Sequence, residues 1–214
     1  MCKEIGCKIV GEQKLNPITN INVKKTSPVV LGLGQKEFKL DSLDLDDSSV
    51  LRFFHVDGII GGDILLKNEL IVNLASEYLC IPKEPVYKIA EKMKMQKVEA
   101  VYDQGRIWTS FVANGKEIKD YFLDTGSDTT SFLKKDIGGL KLQKLGTETR
   151  CSFEHGFHNV DNYGPVSVTF AGNKKELKFV ATASDSEMRK LGTDVLSSLI
   201  IGFDPESKYV FVGH

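Results

Sequence analysis

One stretch of this chain pairs a carboxylate with a turn suited to chemistry: Tyr121-Phe122-Leu123-Asp124-Thr125-Gly126-Ser127-Asp128-Thr129-Thr130-Ser131-Phe132. An apolar run delivers Asp124 into a tight Thr-Gly turn, followed by hydroxyl residues and another apolar residue. An Asp at the end of a buried strand is open to burial and to a like-charged neighbour, the two influences that shift a carboxyl pKa most. Two such carboxyls sharing a proton can take a proton from water and hydrogen-bond a peptide carbonyl. Asp, Thr and Gly are also ordinary turn formers, so the elements leading into the turn must decide between the two readings. Upstream, Ile107, Thr109, Phe111 and Ala113 alternate with Trp108, Ser110 and Val112, the period of a half-buried strand. Asn114-Gly115 predicts a type I′ hairpin turn, and Ile118, Tyr121, Phe122 and Leu123 carry the returning strand into Asp124.

The chain also resembles itself. Gly61-Gly62-Asp63-Ile64-Leu65 matches Gly192-Thr193-Asp194-Val195-Leu196, and 192 − 61 = 131. Asn73-Leu74-Ala75-Ser76-Glu77-Tyr78 matches Asp204-Pro205-Glu206-Ser207-Lys208-Tyr209 at the same spacing, 204 − 73 = 131. Lys3-Glu4-Ile5-Gly6 matches Lys135-Asp136-Ile137-Gly138 at 135 − 3 = 132, and Pro28-Val29-Val30 matches Pro165-Val166-Ser167 at 165 − 28 = 137. The spacing drifts in between and recovers, as surface-loop insertions around a fixed core produce. By this arithmetic the first-copy partner of Asp124 falls at 124 − 132 = −8, before Met1. The expectation is a missing N-terminal piece that carries a second Asp-Thr-Gly and its strand. A late-assigned start codon and loss of the motif are the competing explanations.

On the Asp124-Thr125-Gly126 turn, the hairpin feeding it and the repeat, the chain resembles the pepsin-like and retropepsin-like aspartic peptidases. The resemblance implies a mainly β protein with short helices, in the acid-protease fold of two pseudo-symmetric, β-barrel-like lobes with a cleft between them. Residues 1–81 would be an incomplete N-terminal lobe lacking its active turn, 82–98 an interlobe helix or linker, and 99–214 the C-terminal lobe. It implies an aspartic-type endopeptidase in which Asp124 is one of two catalytic carboxyls, Thr125 braces the turn through its hydroxyl, and Gly126 permits close backbone approach. The alternative is a non-catalytic homologue that binds peptides. The partner is then a polypeptide substrate or peptide ligand, with no cofactor, and residues 1–214 alone would be a poor catalyst. Asp57-Gly58-Ile59-Ile60-Gly61 resembles the family's apolar-apolar-Gly strand, whereas its counterpart Arg189-Lys190-Leu191-Gly192 puts charges at the apolar positions. That strand is expected to be edge-exposed or to have drifted. The segment around His155 and His158 corresponds by position to the family's flap over substrate.

Other chemistry is weaker. His155 and His158, with Glu154 or Asp161, lack an evident third ligand in suitable geometry, so a polar loop tip is expected and no metal site. Gly32-Leu33-Gly34 is not followed by a helix start, which argues against a phosphate loop. Cys2, Cys7, Cys80 and Cys151 show no metal-type spacing and leave disulfides and free thiols equally open. Formal net charge is −1, from 28 Lys and Arg against 29 Asp and Glu, so no basic field recommends nucleic acid. No apolar run approaches the ~18 residues of a membrane span, no signal peptide is visible at Met1, and the compartment stays unknown. Short helices are expected at 62–67, 193–198 and within 127–135. The Lys-rich stretch 84–97 has Val86, Ile89, Ala90 and Met93 at helical spacing.

Overall fold

A computed structural model of the chain describes residues 8–14, 22–33, 36–41, 44–45, 59–152, 156–183 and 189–214. Residues 57–58 of the first apolar-Gly motif, Cys2 and Cys7, and Glu154 and His155 of the loop tip lie outside them. By backbone contacts the chain divides into two units, one of residues 1–59 with 149–158, the other of residues 60–148 with 159–214.

In the first unit, β1 (Ile9–Lys14), β2 (Asn22–Thr26), β3 (Val29–Leu33), β4 (Lys36–Leu40) and β5 (Asp44–Leu45) are all short. β1, β2 and β5 form an antiparallel sheet in that order, and β3 pairs with β4 as a hairpin. Phe38 and Leu40 are buried on alternate positions of β4, the expected signature of a strand with one covered face.

The second unit opens with α1 (Gly62–Leu65), β6 (Leu70–Asn73), β7 (Tyr78–Cys80) and α2 (Val86–Met93). A meander follows: β8 (Gln96–Asp103), β9 (Arg106–Ala113) and β10 (Lys116–Leu123). After the Asp124 turn come β11 (Ser131–Leu133), α3 (Lys134–Leu140), β12 (Gln143–Ser152) and β13 (Gly156–Gly164), whose facing ends at 149–158 count with the first unit. β14 (Val166–Phe170), β15 (Asn173–Leu177), β16 (Val180–Ala183), β17 (Lys190–Leu191), α4 (Thr193–Leu196), β18 (Ile200–Asp204) and β19 (Tyr209–Gly213) complete it. The described structure is therefore mostly β with few short helices. The strands join one sheet in the order β12-β13-β16-β11-β17-β10-β9-β8-β19-β18-β6-β7, with β14 paired to β9 and β15.

The hairpin before Asp124 forms where the sequence places it. Ile107, Thr109, Phe111 and Ala113 are buried, and Asn114 (φ 48°) with Gly115 (φ 77°) makes the turn that sets Lys116 opposite Ala113. Both central residues have positive φ, the type I′ requirement that Asn-Gly meets at least cost. One feature escaped the alternation: the register slips between Ile118 and Tyr121, with Asp120 at φ 58°. The bulge puts Tyr121 and Leu123, rather than Phe122, on the buried face. Fully buried Tyr121 lies edge-on to Phe111 (5.0 Å, 90°) and Phe132 (5.6 Å, 79°). Its hydroxyl donates to Asp136 Oδ2 at 2.8 Å and accepts the Leu133 amide at 3.3 Å. Burial first, then the Asp136 carboxylate, holds that phenol well above its ordinary pKa.

Several boundaries differ from the sequence reading. The helix sought within 127–135 starts at Lys134, because 131–133 are held as strand β11 beside β16. β15 returns along β14 through an Ala171-Gly172 turn of positive φ, and β16 follows as a separate strand. Helix α2 is shorter than 84–97 because Lys94 (φ 55°) caps it and Gln96 starts β8. α2 packs Val86 and Ala90 beside Phe211, and the Glu69 carboxylate accepts the Val86 amide at 2.9 Å.

The central ladder has a simple arithmetic. β6 pairs antiparallel with β18, Ile71 opposite Gly202, and 202 − 71 = 131. A two-fold through that pair relates each residue of β6 to the one 131 positions later in β18. The loops beyond match in detail: Asn73 Oδ1 accepts the Ser76 amide and Asp204 Oδ1 the Ser207 amide, both at 3.1 Å, and Glu77 and Lys208 share positive φ (51° and 62°).

Because Phe132 is wholly buried between Phe111 and Tyr121, truncating it opens a cavity at the root of the Asp124 turn. Phe132→Ala is expected to lower stability by about 3–5 kcal/mol, read as a shift of the urea midpoint with the slope unchanged.

Candidate functional site

Asp124 stands at the end of β10, and its turn is held from the neighbouring strand and helix. β17 runs parallel to β10, setting Phe122 beside Lys190 and Leu123 beside Leu191. The Asp124 amide donates to the Leu191 carbonyl at 3.1 Å. Within the turn, Asp124 Oδ1 accepts the Gly126 amide at 3.0 Å and the Asp124 carbonyl accepts the Ser127 amide at 3.3 Å. This is an Asx-type turn, in which the side chain substitutes for a backbone acceptor. Ser127 Oγ donates to the Thr129 carbonyl at 2.9 Å, and the Ser127 carbonyl accepts the Thr193 amide at 2.8 Å.

The strongest brace lies farther along. Thr130, fully buried, gives its amide to Asp194 Oδ2 (2.9 Å) and its hydroxyl to Asp194 Oδ1 (2.6 Å), while the same hydroxyl oxygen accepts the Gly192 amide at 3.0 Å. Both carboxylate oxygens are thus committed to one residue of the turn. Burial raises the Asp194 pKa, and the two hydrogen bonds from Thr130 pull it partly back. Gly192 is glycine for a steric reason: a Cβ there would lie 2.6 Å from the Thr129 carbonyl carbon. The turn backbone rests directly on it.

Of the residues singled out from sequence, Asp124 is half-buried and Thr125 and Gly126 are exposed. A Cβ on Gly126 would meet Asp124 Oδ1 at 3.3 Å, so the tight fit around this glycine is to the carboxylate itself. Among the described residues the bracing threonine is Thr130. Sequence reasoning missed Thr130 and its bond to Asp194; the recurrence of Asp at 63 and 194 was the available signal.

The charged strand Arg189-Lys190-Leu191 is neither at an edge nor unsupported. β17 lies between β11 and β10, with Leu191 completely buried. Its two cations point to acids on β10 and the turn: Arg189 Nη2 lies 3.7 Å from Asp120 Oδ2, and Lys190 Nζ lies 3.4 Å from Asp124 Oδ2. The second carboxylate oxygen of Asp124 therefore faces an ammonium group. Beside Asp124 and Thr125 opens a recess of about 330 Å³ walled by Leu65, Leu66, Leu70, Ile107 and Phe203. Asp124 and Thr125 thus stand at the lip of an apolar hollow.

Among the described residues no cluster of His, Cys, Asp and Glu could hold a metal ion. His158 Nδ1 lies 3.0 Å from the Gly156 carbonyl, and Cys80 and Cys151 are free thiols. No described helix is long and apolar enough to cross a membrane.

No protein-family model and no curated protein matches the chain. Solved structures similar to it include a retropepsin-like aspartic protease from Rickettsia conorii, 18% identical over 54% of this chain and 89% of that one, with a TM-score of 0.39. Basic 7S globulin from soybean is 10% identical over 97% of this chain and 71% of that one, with a TM-score of 0.42. Both superpositions are loose.

Asp194→Ala leaves the buried Thr130 amide and hydroxyl without their acceptor and is expected to cost about 1–3 kcal/mol. Asp194→Asn keeps one acceptor but cannot titrate. Because the folded pKa of Asp194 is raised above 3.8, its folded state holds the proton more tightly than the unfolded chain. Its contribution is full below about pH 4 and is lost as pH rises through the folded value. Denaturation curves between about pH 3 and 7 should show the wild type losing stability relative to Asp194→Asn as pH rises.

Proposed function

We propose that Asp124 is one member of an acid–base pair for hydrolysis of peptide bonds, and that the protein is an aspartic-type endopeptidase when its second carboxyl is supplied. The observation that carries this reading is the construction of the turn. Asp124 is fixed at the end of a buried strand through its own amide, its carbonyl and one carboxylate oxygen. The other oxygen and the apolar recess are left to a ligand and to one neighbouring charge. A functional group held in this way is preorganised for a ligand.

The 131-residue recurrence of turn, Asx bond and positive φ supports a duplicated β unit, with a cleft between two pseudo-symmetric lobes as the site of action. In that scheme water would sit between Asp124 and a second carboxyl. The ionised member would take the water proton and the protonated member would hydrogen-bond the peptide carbonyl. The pair would titrate as a unit.

Lys190 favours a second reading. An ammonium 3.4 Å from Asp124 Oδ2 occupies the carboxylate oxygen that a second carboxyl would have to approach. A chain in this state binds extended peptides through the recess without cutting them.

Asp124→Ala separates the readings. Hydrolysis of an unfolded polypeptide at mildly acid pH is expected to be slow with residues 1–214 and to fall to background in the variant. Undiminished cleavage would remove Asp124 from the mechanism. Saturable peptide binding with no turnover in either protein would establish the binding module instead.

A further inference from the structure

The outward face of the β8–β9–β10 meander carries two rows of side chains that the core does not use. Val101 lies opposite Trp108, and Trp108 opposite Phe122. The same registers, Ala100 opposite Thr109 and Thr109 opposite Tyr121, set Glu99 beside Ser110 and Ser110 beside the Asp120 bulge. Thr109 and Tyr121 are buried, so the residues next to them along each strand point the other way. One row is therefore apolar and aromatic, and beside it runs a row with a carboxylate at each end. Paired strands lie about 4.8 Å apart, which sets the backbones of Glu99 and Asp120 about 10 Å apart with Ser110 between them.

The two rows border one groove of about 370 Å³, walled by Glu99, Val101, Trp108, Ser110, Asp120 and Tyr209. The fold leaves several of its groups unused. Val101 is 62% exposed. Among the described residues, nothing pairs with the Glu99 carboxylate, the Ser110 hydroxyl or the Trp108 indole N–H. Asp120 stands on this face because the bulge, at φ 58°, adds a residue to β10. The chain's own cations show which chemistry the rims attract. The Lys97 ammonium lies 3.6 Å from the centroid of the Tyr209 ring. Arg189 gives its Nε–H to the Asp120 carbonyl and sets Nη2 3.7 Å from Asp120 Oδ2. The Trp108 ring and the Glu99 carboxylate offer the same two kinds of contact to a cation from outside. Lys208 also borders the groove, so two carboxylates against one ammonium suit a single added positive charge.

We propose that this groove binds an arginine or lysine side chain of a polypeptide, with the cationic head against the Trp108 indole between Glu99 and Asp120 and the methylene stem along Val101. The ring supplies its negative face and apolar area, the carboxylates accept the N–H groups of the head, and Ser110 offers a further acceptor. A neutral sugar would also stack on an indole, but it gains little from the charge of two carboxylates. The groove shares no wall residue with the recess beside Asp124. It therefore stands or falls independently of peptide-bond hydrolysis.

Trp108 is the only tryptophan of the chain, so its fluorescence reads the groove directly. The full 214-residue chain is titrated with end-blocked hexa-arginine, with a Gly-Ser peptide of the same length and with cellotetraose, each variant being compared below its melting transition. Hexa-arginine is expected to give a saturable change that about 0.5 M salt largely removes, and the Gly-Ser peptide none. Glu99→Gln and Asp120→Asn should each weaken binding about three- to fivefold; Asn at 120 tolerates the positive φ. Lys208→Asn should tighten binding, and Glu117→Gln, an exposed acid of β10 outside the groove, should leave it unchanged. No saturable response to hexa-arginine, a response indifferent to Glu99 and Asp120, or equal weakening by Glu117→Gln overturns the proposal. A salt-insensitive response to cellotetraose larger than that to hexa-arginine would assign the groove to carbohydrate and overturn it as well.

Discussion

The pairing of Thr130 with Asp194 is the constraint on which the candidate site depends. A buried carboxylate is costly unless its oxygens are hydrogen-bonded, and a buried backbone amide without an acceptor costs about 1–3 kcal/mol. Each group removes the other's penalty: Thr130 gives both its donors to the two oxygens, and its hydroxyl oxygen takes the Gly192 amide in return. The turn carrying Asp124 is thereby tied to α4, while β17 ties the same turn to the sheet through Leu191. These attachments place the turn that carries Asp124, and within it the exposed Gly126 gives its amide to Asp124 Oδ1.

The sequence made some of this readable and concealed the rest, for identifiable reasons. Alternation over Ile107–Ala113 and the Asn114-Gly115 turn were strong local signals, since period-two burial and a two-residue I′ turn are both set within a few residues. The bulge at Lys119–Asp120 carries no such signal, because a residue at positive φ other than glycine leaves no mark in composition. Thr130 was hidden among five consecutive hydroxyl or acidic residues, 127–131, and only the fold selects which of them meets Asp194. Arg189 and Lys190 read as a poorly supported strand because their partners, Asp120 and Asp124, are distant in sequence and adjacent only across the parallel pairing of β10 with β17. Asp194 recurs with Asp63 in the repeat, but its hydrogen bonds to Thr130 could not be read from that recurrence.

The same spacing that matched sequence segments also centres the β6–β18 ladder on Ile71 and Gly202. Registers in antiparallel pairs are fixed by which face is buried, so the β6–β18 register follows from the faces these two strands cover. Gly202 accommodates Val86 of α2 at that centre, where a Cβ would lie 2.7 Å from Val86 Cγ1. Helix α2 thus rests over the β6–β18 ladder.

Amide hydrogen exchange at Thr130, read against Gly126 in the same turn, tests the central claim most directly. If the Asp194 clamp fixes the turn, the Thr130 and Thr193 amides exchange only with unfolding of the whole unit, as slowly as core strand amides, while Gly126 exchanges quickly. Thr130 exchanging as fast as Gly126 would show a loose turn and contradict the account.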